Sequence, residues 1–140
     1  MKKITGLFLL LFVCCLLKAQ YVISVNNKKR LTIKENEDNS ALSLKLTPPY
    51  PAKAMLSIKA IKQNKGWLRS YDITDDKDNV IISLENTYST DTKQALIQQL
   101  IKKLEPGKKY GIYTWAKPSD PKLAASVRIR RFFLCSLVIE

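Results

Sequence analysis

Apolar and polar residues alternate along much of the first half of this chain, once the first twenty residues are passed. Leu42, Leu44 and Leu46, for example, each alternate with a polar residue. Successive side chains of a β-strand point to opposite faces, so this alternation predicts strands with one buried face. The predicted strands cover residues 22–25, 31–33, 42–46, 56–60, 67–73 and 80–84. Polar or proline-rich segments separate them, and a spacing of about ten residues between strands is typical of a sandwich or barrel.

The period changes once, between residues 91 and 104. The apolar residues of this segment recur at helical spacing, and they are Leu96, Ile97, Leu100, Ile101 and Leu104. Such a stripe predicts an amphipathic helix with one side facing the core. Asp91, followed three residues later by Gln94, is typical of a helix start, and Pro106-Gly107 marks the stop. We expect this helix to cover one open end or edge of a sandwich, and a helix that binds a partner is the alternative.

Two further strands are predicted after the helix, over residues 109–115 and 126–139, with a proline-rich turn between them. If the two strands pair as an antiparallel hairpin, Lys109, Arg128 and Arg130 form one positive face. Residues 132–139 are apolar on both alternating faces, which predicts a strand covered on both sides. The whole pattern predicts a mainly β protein, an antiparallel β-sandwich of about seven strands with one amphipathic helix before the penultimate strand.

The segment between the helix and the penultimate strand reads Leu104-Glu105-Pro106-Gly107-Lys108-Lys109-Tyr110. It resembles the L-x-P-G-x-x-Y segment of fibronectin type III domains and related immunoglobulin-like modules, in which the tyrosine hydroxyl bonds a backbone group upstream and locks the corner between the sheets. Together with the strand count, this resemblance implies an immunoglobulin-like sandwich in which Tyr110 has that structural role. It implies no activity, because the fold hosts many unrelated functions.

The first nineteen residues have the pattern of a secretory signal peptide. Lys2 and Lys3 supply the positive start, residues 4–17 are almost unbroken apolar sequence, and Ala19 is a small residue at the cleavage point. We therefore expect residues 1–19 to be removed and residues 20–140 to form a single domain. The residues before Cys14 resemble the lipobox of bacterial lipoproteins, with Val13 in place of the usual small residue, so lipidation of Cys14 is the alternative.

Composition and charge place the chain among basic globular proteins and outside the fibrous and disordered classes. The 140 residues include 24 Lys plus Arg and 12 Asp plus Glu, which gives a net charge of +12. Removal of residues 1–19 takes away three lysines and leaves a net charge of +9 and a single cysteine, Cys135. No disulfide can form within that mature chain, so its stability must come from the core. We expect an exported protein of the periplasm or cell surface.

Several kinds of catalytic site are excluded by the residue types present. The chain contains no histidine, which excludes Ser-His-Asp and Cys-His arrangements and histidine metal ligands. Its four glycines, at positions 6, 66, 107 and 111, cannot form a phosphate-binding loop or a dinucleotide fingerprint. Cys135 lies in the most apolar predicted strand, where burial makes a thiol inert. We expect no catalytic residue, no cofactor and no enzymatic activity, and a hydrolase of unrecognised type is the enzymatic alternative.

Carboxylates cluster once, at Asp72, Asp75, Asp76 and Asp78. Their spacing does not match an EF-hand loop. Aspartate and asparagine are favoured in turns for their local hydrogen bonds, so we expect a turn and no metal site here. Loose calcium coordination by Asp75, Asp76 and Asp78 is the alternative.

Basic and aromatic residues are the candidate binding residues. The positive face expected from the last two strands would suit a polyanion such as lipopolysaccharide or an acidic glycan. Tyr50, Trp67 and Trp115 lie at the ends of predicted elements, where binding residues of sandwiches are common, and burial in the core is the alternative for the two tryptophans. The export signal and the missing interleaving of aromatic and basic residues argue against nucleic acid.

The sequence therefore predicts an exported, non-catalytic binding or structural module of the cell envelope that belongs to a larger protein assembly. The expected partner is another envelope protein. A module that binds a polyanion and a hydrolase of unrecognised type are the alternatives. Membrane association is expected only if Cys14 is lipidated.

Overall fold

The computed structural model describes residues 20–35, 37–61, 65–84 and 92–140. The predicted signal peptide with Cys14, and the predicted helix start at Asp91, lie outside these residues. The described elements are β1 (Gln20–Val25), β2 (Lys28–Lys34), β3 (Ser43–Leu46), β4 (Met55–Ala60), β5 (Trp67–Thr74), β6 (Val80–Leu84), β7 (Thr92–Leu96), α1 (Ile97–Lys103), β8 (Lys109–Pro118), α2 (Pro121–Ser126) and β9 (Arg131–Ile139).

The described strands form two sheets that enclose one apolar core. One sheet has the order β2-β1-β4-β7, and the other has the order β3-β9-β8-β5-β6. Paired strands are antiparallel, except that β3 runs parallel to β9. Alternate residues face inward, and those of the core with no exposed surface include Ile23, Ile58, Ile73, Ile112 and Leu137. The prediction of a mainly β sandwich is confirmed, and the described part of the chain contains nine strands, more than the sequence predicts.

The register of the strands divides the sandwich into two ends. β1 begins where β5 begins, and there Arg69 of β5 donates a hydrogen bond to Tyr21 of β1 across the sheets. β8 ends at the same level, since Trp67 pairs with Pro118, so the connection from β8 to β9 also lies here. We call this end the proximal end. The opposite, distal end carries α1, the turn at 75–79 and the start of β8.

The prediction of a helix over residues 92–96 is wrong, because these residues form strand β7. Gln94 pairs with Ser57 of β4, and its side-chain amide donates to the Ser57 hydroxyl at 3.2 Å instead of capping a helix. Lys93 and Ala95 are buried while Gln94 is exposed, which is the alternation of a strand. The hydrogen bonds between β7 and β4 satisfy backbone groups that a longer helix would have left unpaired at the edge of the sheet.

Helix α1 covers the distal end of the core, which is the position expected of it. Ile97 and Leu100 are buried, and Leu104 directly after the helix is buried as well. The backbone N–H of Ile97 donates to the carbonyl of Ala54 at 3.0 Å, which ties the start of the helix to the loop before β4. The helix thereby carries the chain from one sheet to the other.

The predicted start of the last strand at residue 126 is also wrong, because helix α2 and a segment without regular secondary structure precede β9. Asp120 caps α2, since its Oδ1 accepts from the backbone N–H of Lys122 at 2.9 Å and Pro121 occupies the first turn. Both features are typical of helix starts. Arg128 and Arg130 therefore lie in the connection and not in the strand.

Coverage of residues 132–139 on both faces is not observed throughout. Phe132 is 40% exposed at the start of β9. Residues 134–137 are all buried, so the strand is covered on both faces over this stretch. A bulge, where the register against β8 shifts between Ile112 and Tyr113, places an extra residue in β9 and turns the neighbouring side chains of Leu134 and Cys135 inward.

Tyr110 lies at the start of β8 and is buried. Its hydroxyl oxygen accepts a hydrogen bond of 2.9 Å from the backbone N–H of Glu105, five residues upstream. Gly107 adopts a φ of +77° in the turn between these two residues, a conformation that glycine tolerates best. The bond holds the turn after α1 against the start of β8.

Candidate functional site

The outer face of the five-stranded sheet carries a row of aromatic side chains. On β8, Ile112 and Thr114 are buried and face the core, so Tyr113 and Trp115 face outward. Phe133 of β9 is the cross-strand partner of Tyr113. We call Tyr113, Trp115 and Phe133 the aromatic ladder.

The ladder is held together by ring and cation contacts. The rings of Tyr113 and Phe133 meet edge to face, with centroids 5.3 Å apart. The guanidinium of Arg131 lies 4.3 Å from the centroid of Tyr113, and the ammonium of Lys117 lies 5.9 Å from that of Trp115. Each such cation contact contributes about 0.5–1 kcal/mol at an exposed site. The result is an amphipathic surface with fixed rings and a positive border.

A buried carboxylate fixes the indole of the ladder. Asp72 of β5 is 7% exposed, and its Oδ2 accepts from the indole N–H of Trp115 at 2.9 Å. Its Oδ1 accepts from the Ser83 hydroxyl at 2.7 Å. Both carboxyl oxygens of Asp72 are therefore hydrogen-bonded, so Asp72 holds the indole in place on this face of the sheet and is not free to bind a ligand.

An open cleft of about 460 Å³ lies beside the ladder toward the distal end, and Tyr113 and Phe133 form one of its walls. Its lining includes Gly111, where a Cβ atom would come within 2.7 Å of Cε2 of Tyr113. The tyrosine ring therefore packs directly on the backbone of Gly111. The hydroxyl of Thr74 is buried beneath this ring with no hydrogen-bond partner.

The acidic cluster at the rim of the cleft forms a turn. Asp75 Oδ1 accepts from the backbone N–H groups of Lys77 and Asn79, and its Oδ2 accepts from the side chain of Asn79. The hydrogen bond from the Asn79 side chain is the main reason that the pKa of Asp75 lies below its usual value. Asp78 instead pairs with Arg131 at 3.0 Å. Across the described residues, no group of three or more acidic or cysteine side chains is arranged to hold a metal ion.

The predicted positive face of Lys109, Arg128 and Arg130 does not form. Lys109 begins β8 at the distal end, where it pairs with Val138 near the end of β9. The two arginines lie in the connection at the proximal end, before β9 begins. At that end of β8, Trp115 pairs with Arg131 of β9. Arg131 was not among the residues expected to form the positive face.

The three predicted aromatic residues lie in three different places. Trp115 belongs to the ladder. Trp67 begins β5 at the proximal end and is half-buried. Tyr50 is half-buried in the loop before β4, where its hydroxyl accepts from the backbone N–H of Thr47 and its carbonyl accepts from the Gln98 side chain. Tyr50 therefore has structural partners of its own.

Sequence reasoning missed Tyr113 and Phe133. Tyr113 is two residues before Trp115 in a predicted strand, so the two are on the same face, and this signal was present in the sequence. Phe133 is added by the register between β8 and β9, which includes a bulge that one sequence does not reveal.

Cys135 is fully buried in the core, and burial raises the pKa of its thiol to about 12. A thiol with such a pKa is protonated and unreactive at neutral pH, as expected for a structural cysteine.

Within the ranges that the structure describes, no helix has the length and apolar character to cross a membrane. No protein-family model, no curated protein and no solved structure matches this chain.

Proposed function

We propose that this protein is an exported, non-catalytic immunoglobulin-like module that binds another protein of the cell envelope through the aromatic ladder. The observation that carries the proposal is the ladder itself, three outward-facing aromatic side chains held in place by Arg131, Lys117 and the buried carboxylate of Asp72. Sheet faces that contact only water rarely carry several large aromatic side chains side by side.

Two features support an immunoglobulin-like relationship. The sheet order places β9, β8, β5 and β6 side by side and pairs β4 with β7 in the other sheet, an arrangement similar to that of variable-type immunoglobulin sandwiches. The bond from Glu105 to the Tyr110 hydroxyl resembles the tyrosine corner of these domains, which also lies at the start of the penultimate strand.

The composition of the ladder favours a protein partner. Tyrosine, tryptophan, phenylalanine and arginine are enriched at the centres of protein interfaces, and charged groups are common at the rim. Here the rings are fixed before binding, so association costs little side-chain entropy. Asp78 pairs with Arg131 at the border, which supplies the polar rim.

The polyanion and hydrolase alternatives receive less support. A polyanion would be best bound by one continuous positive face, and the register separates Lys109 from Arg128 and Arg130 by the length of β8. A hydrolase needs ionisable groups that converge in a pocket. At the cleft, Asp75 is fully engaged by its own turn and Asp78 by Arg131.

The experiment is affinity capture from envelope extract with the wild-type chain, Tyr113→Ala and Arg131→Ala as baits, at low and high salt. We expect the same partner to be retained at both salt concentrations by wild type, and both variants to weaken it by about tenfold or more. Lys59→Ala is the matched control, because Lys59 is an exposed strand cation on the other sheet. A partner that the ladder variants retain, or one released by salt alone, would contradict the proposal.

A further inference from the structure

Exposed apolar side chains concentrate at the proximal end of the sandwich. Of the five large apolar side chains that are exposed among the described residues, four lie there, and they are Ile61, Leu123, Ile129 and Phe132, with exposed fractions of 40–52%. Leu123 is on α2, Ile129 follows it in the connection, and Ile61 comes directly after strand β4 of the other sheet, where its backbone N–H donates to the carbonyl of Gln20. Clustered exposure of this kind indicates a surface that meets something other than water.

The connection between β8 and β9 at this end is rich in positive charge. Residues 117–131 contain five basic side chains and one acidic side chain, and two of the basic ones, Lys117 and Arg131, contact the ladder. The acidic one, Asp120, is occupied in capping α2. Among the described residues, Lys122, Arg128 and Arg130 take part in no ion pair. Their charges are therefore available to an anionic partner.

We propose that the proximal end binds the surface of an anionic phospholipid membrane. Leu123 and Ile129 enter the boundary between headgroups and acyl chains, and Lys122, Arg128 and Arg130 pair with headgroup phosphates. A lipid surface suits this composition because its phosphates accept cations in any arrangement and its interface accepts aliphatic side chains. An acidic protein would instead need carboxylates matched to each cation.

This surface is separate from the ladder, so both can be occupied together. The ladder lies on the outer face of the five-stranded sheet, and docking through the end of the sandwich leaves that face open. Membrane binding would then present the ladder to neighbouring envelope proteins.

The test is flotation of the expected mature chain, residues 20–140, with vesicles of phosphatidylcholine alone and of phosphatidylcholine with phosphatidylglycerol. We expect stronger binding to the anionic vesicles, reduced by roughly fivefold for each charge removed in Arg128→Ala and Arg130→Ala at low salt. Leu123→Ser with Ile129→Ser should also reduce it. Lys102→Ala with Lys103→Ala, on exposed positions of α1 at the distal end, is the matched control and should bind like wild type.

A second readout locates the contact. An environment-sensitive dye is attached to Ile129→Cys or to Lys102→Cys in the chain of residues 20–140, where Cys135 is the remaining, buried thiol. We expect a blue shift with anionic vesicles at position 129 and none at position 102. Equal binding to both vesicle types, proximal variants that bind like wild type, or no shift at position 129 would overturn the proposal. If Tyr113→Ala loses its protein partner and still binds anionic vesicles, membrane binding is shown to be independent of the proposed function.

Discussion

The guanidinium Nη1 of Arg69 donates a hydrogen bond of 2.7 Å to the hydroxyl of Tyr21 and so joins the two sheets through their interior. The same Nη1 also donates to the Thr114 hydroxyl, and the Tyr21 hydroxyl donates to Glu35 at 3.3 Å. The cation lies 5.3 Å from the centroid of the Tyr21 ring as well. A charged group in this position is stabilised only while its partners remain, which makes the pair a sensitive point of the fold.

Tyr21→Phe should lower the free energy of unfolding by about 1–3 kcal/mol, because it removes a partly buried hydrogen bond from a charged group. Urea titration followed by circular dichroism measures the change. Tyr50→Phe is the control, since the Tyr50 hydroxyl bonds the exposed backbone of Thr47, and it should cost less. Equal losses in the two variants would contradict a special role for the bond to Arg69.

Stability should fall at high pH because two buried groups must be neutral in the folded protein. Burial raises the pKa of Tyr21 to about 12 from 10.0, with Glu35 adding to the shift and Arg69 opposing it, and burial raises the pKa of Cys135 to about 12 from 9.0. The unfolded chain releases these protons first, so their contribution is complete below pH 9 and is lost as the pH rises toward 12.

Urea titrations between pH 8 and pH 12 test this expectation. Tyr21→Phe should reduce the loss of stability above pH 10, and Cys135→Ala should reduce it above pH 9. Unchanged pH dependence in both variants would show that other groups cause the loss.

Gly111→Ala should weaken partner binding without unfolding the domain. The new methyl group would lie 2.7 Å from Cε2 of Tyr113, so the ring must move away from its place in the ladder. A ring at the end of a side chain can move at modest cost, and the backbone of Gly111 does not need glycine, since its φ is not positive. Partner capture and the near-ultraviolet circular dichroism of the aromatic rings measure the two effects. Full capture by this variant would show that the position of Tyr113 is unimportant.

Export predicts a definite mature chain. If residues 1–19 are a cleaved signal peptide, the protein recovered from cells should have the mass of residues 20–140 and begin at Gln20. Intact mass spectrometry measures this directly. A mass that includes residues 1–19 would contradict cleavage. A lipid on Cys14 would support the lipoprotein alternative instead.

The spacing of apolar residues and the positions of turn residues were enough to predict most of the sandwich. Alternation located the strands up to Leu84, and the segment 104–110 pointed to the bond at Tyr110. The errors arose where two patterns overlap. Residues 92–96 continue into a helical stripe, and only the pairing with β4 makes them a strand.

The candidate site was less predictable because it depends on register. Tyr113 and Trp115 share a face in any strand, but their neighbours Arg131 and Phe133 are set by the length of the α2 connection and by the bulge in β9. The sequence predicted Arg128 and Arg130 beside Lys109 because it placed no helix between the strands. The signals for that helix, Asp120 and Pro121, are present in the sequence, but the same residue types are also typical of turns.

The most direct test of the central claim is photo-crosslinking in living cells with a photoreactive phenylalanine analogue in place of Phe133. The same analogue at Thr32, which is exposed on the other sheet, is the control. We expect position 133 to crosslink to one envelope protein, position 32 to give no such product, and Arg131→Ala to reduce the product at position 133. No product at position 133, or the same product at position 32, would contradict binding through the aromatic ladder.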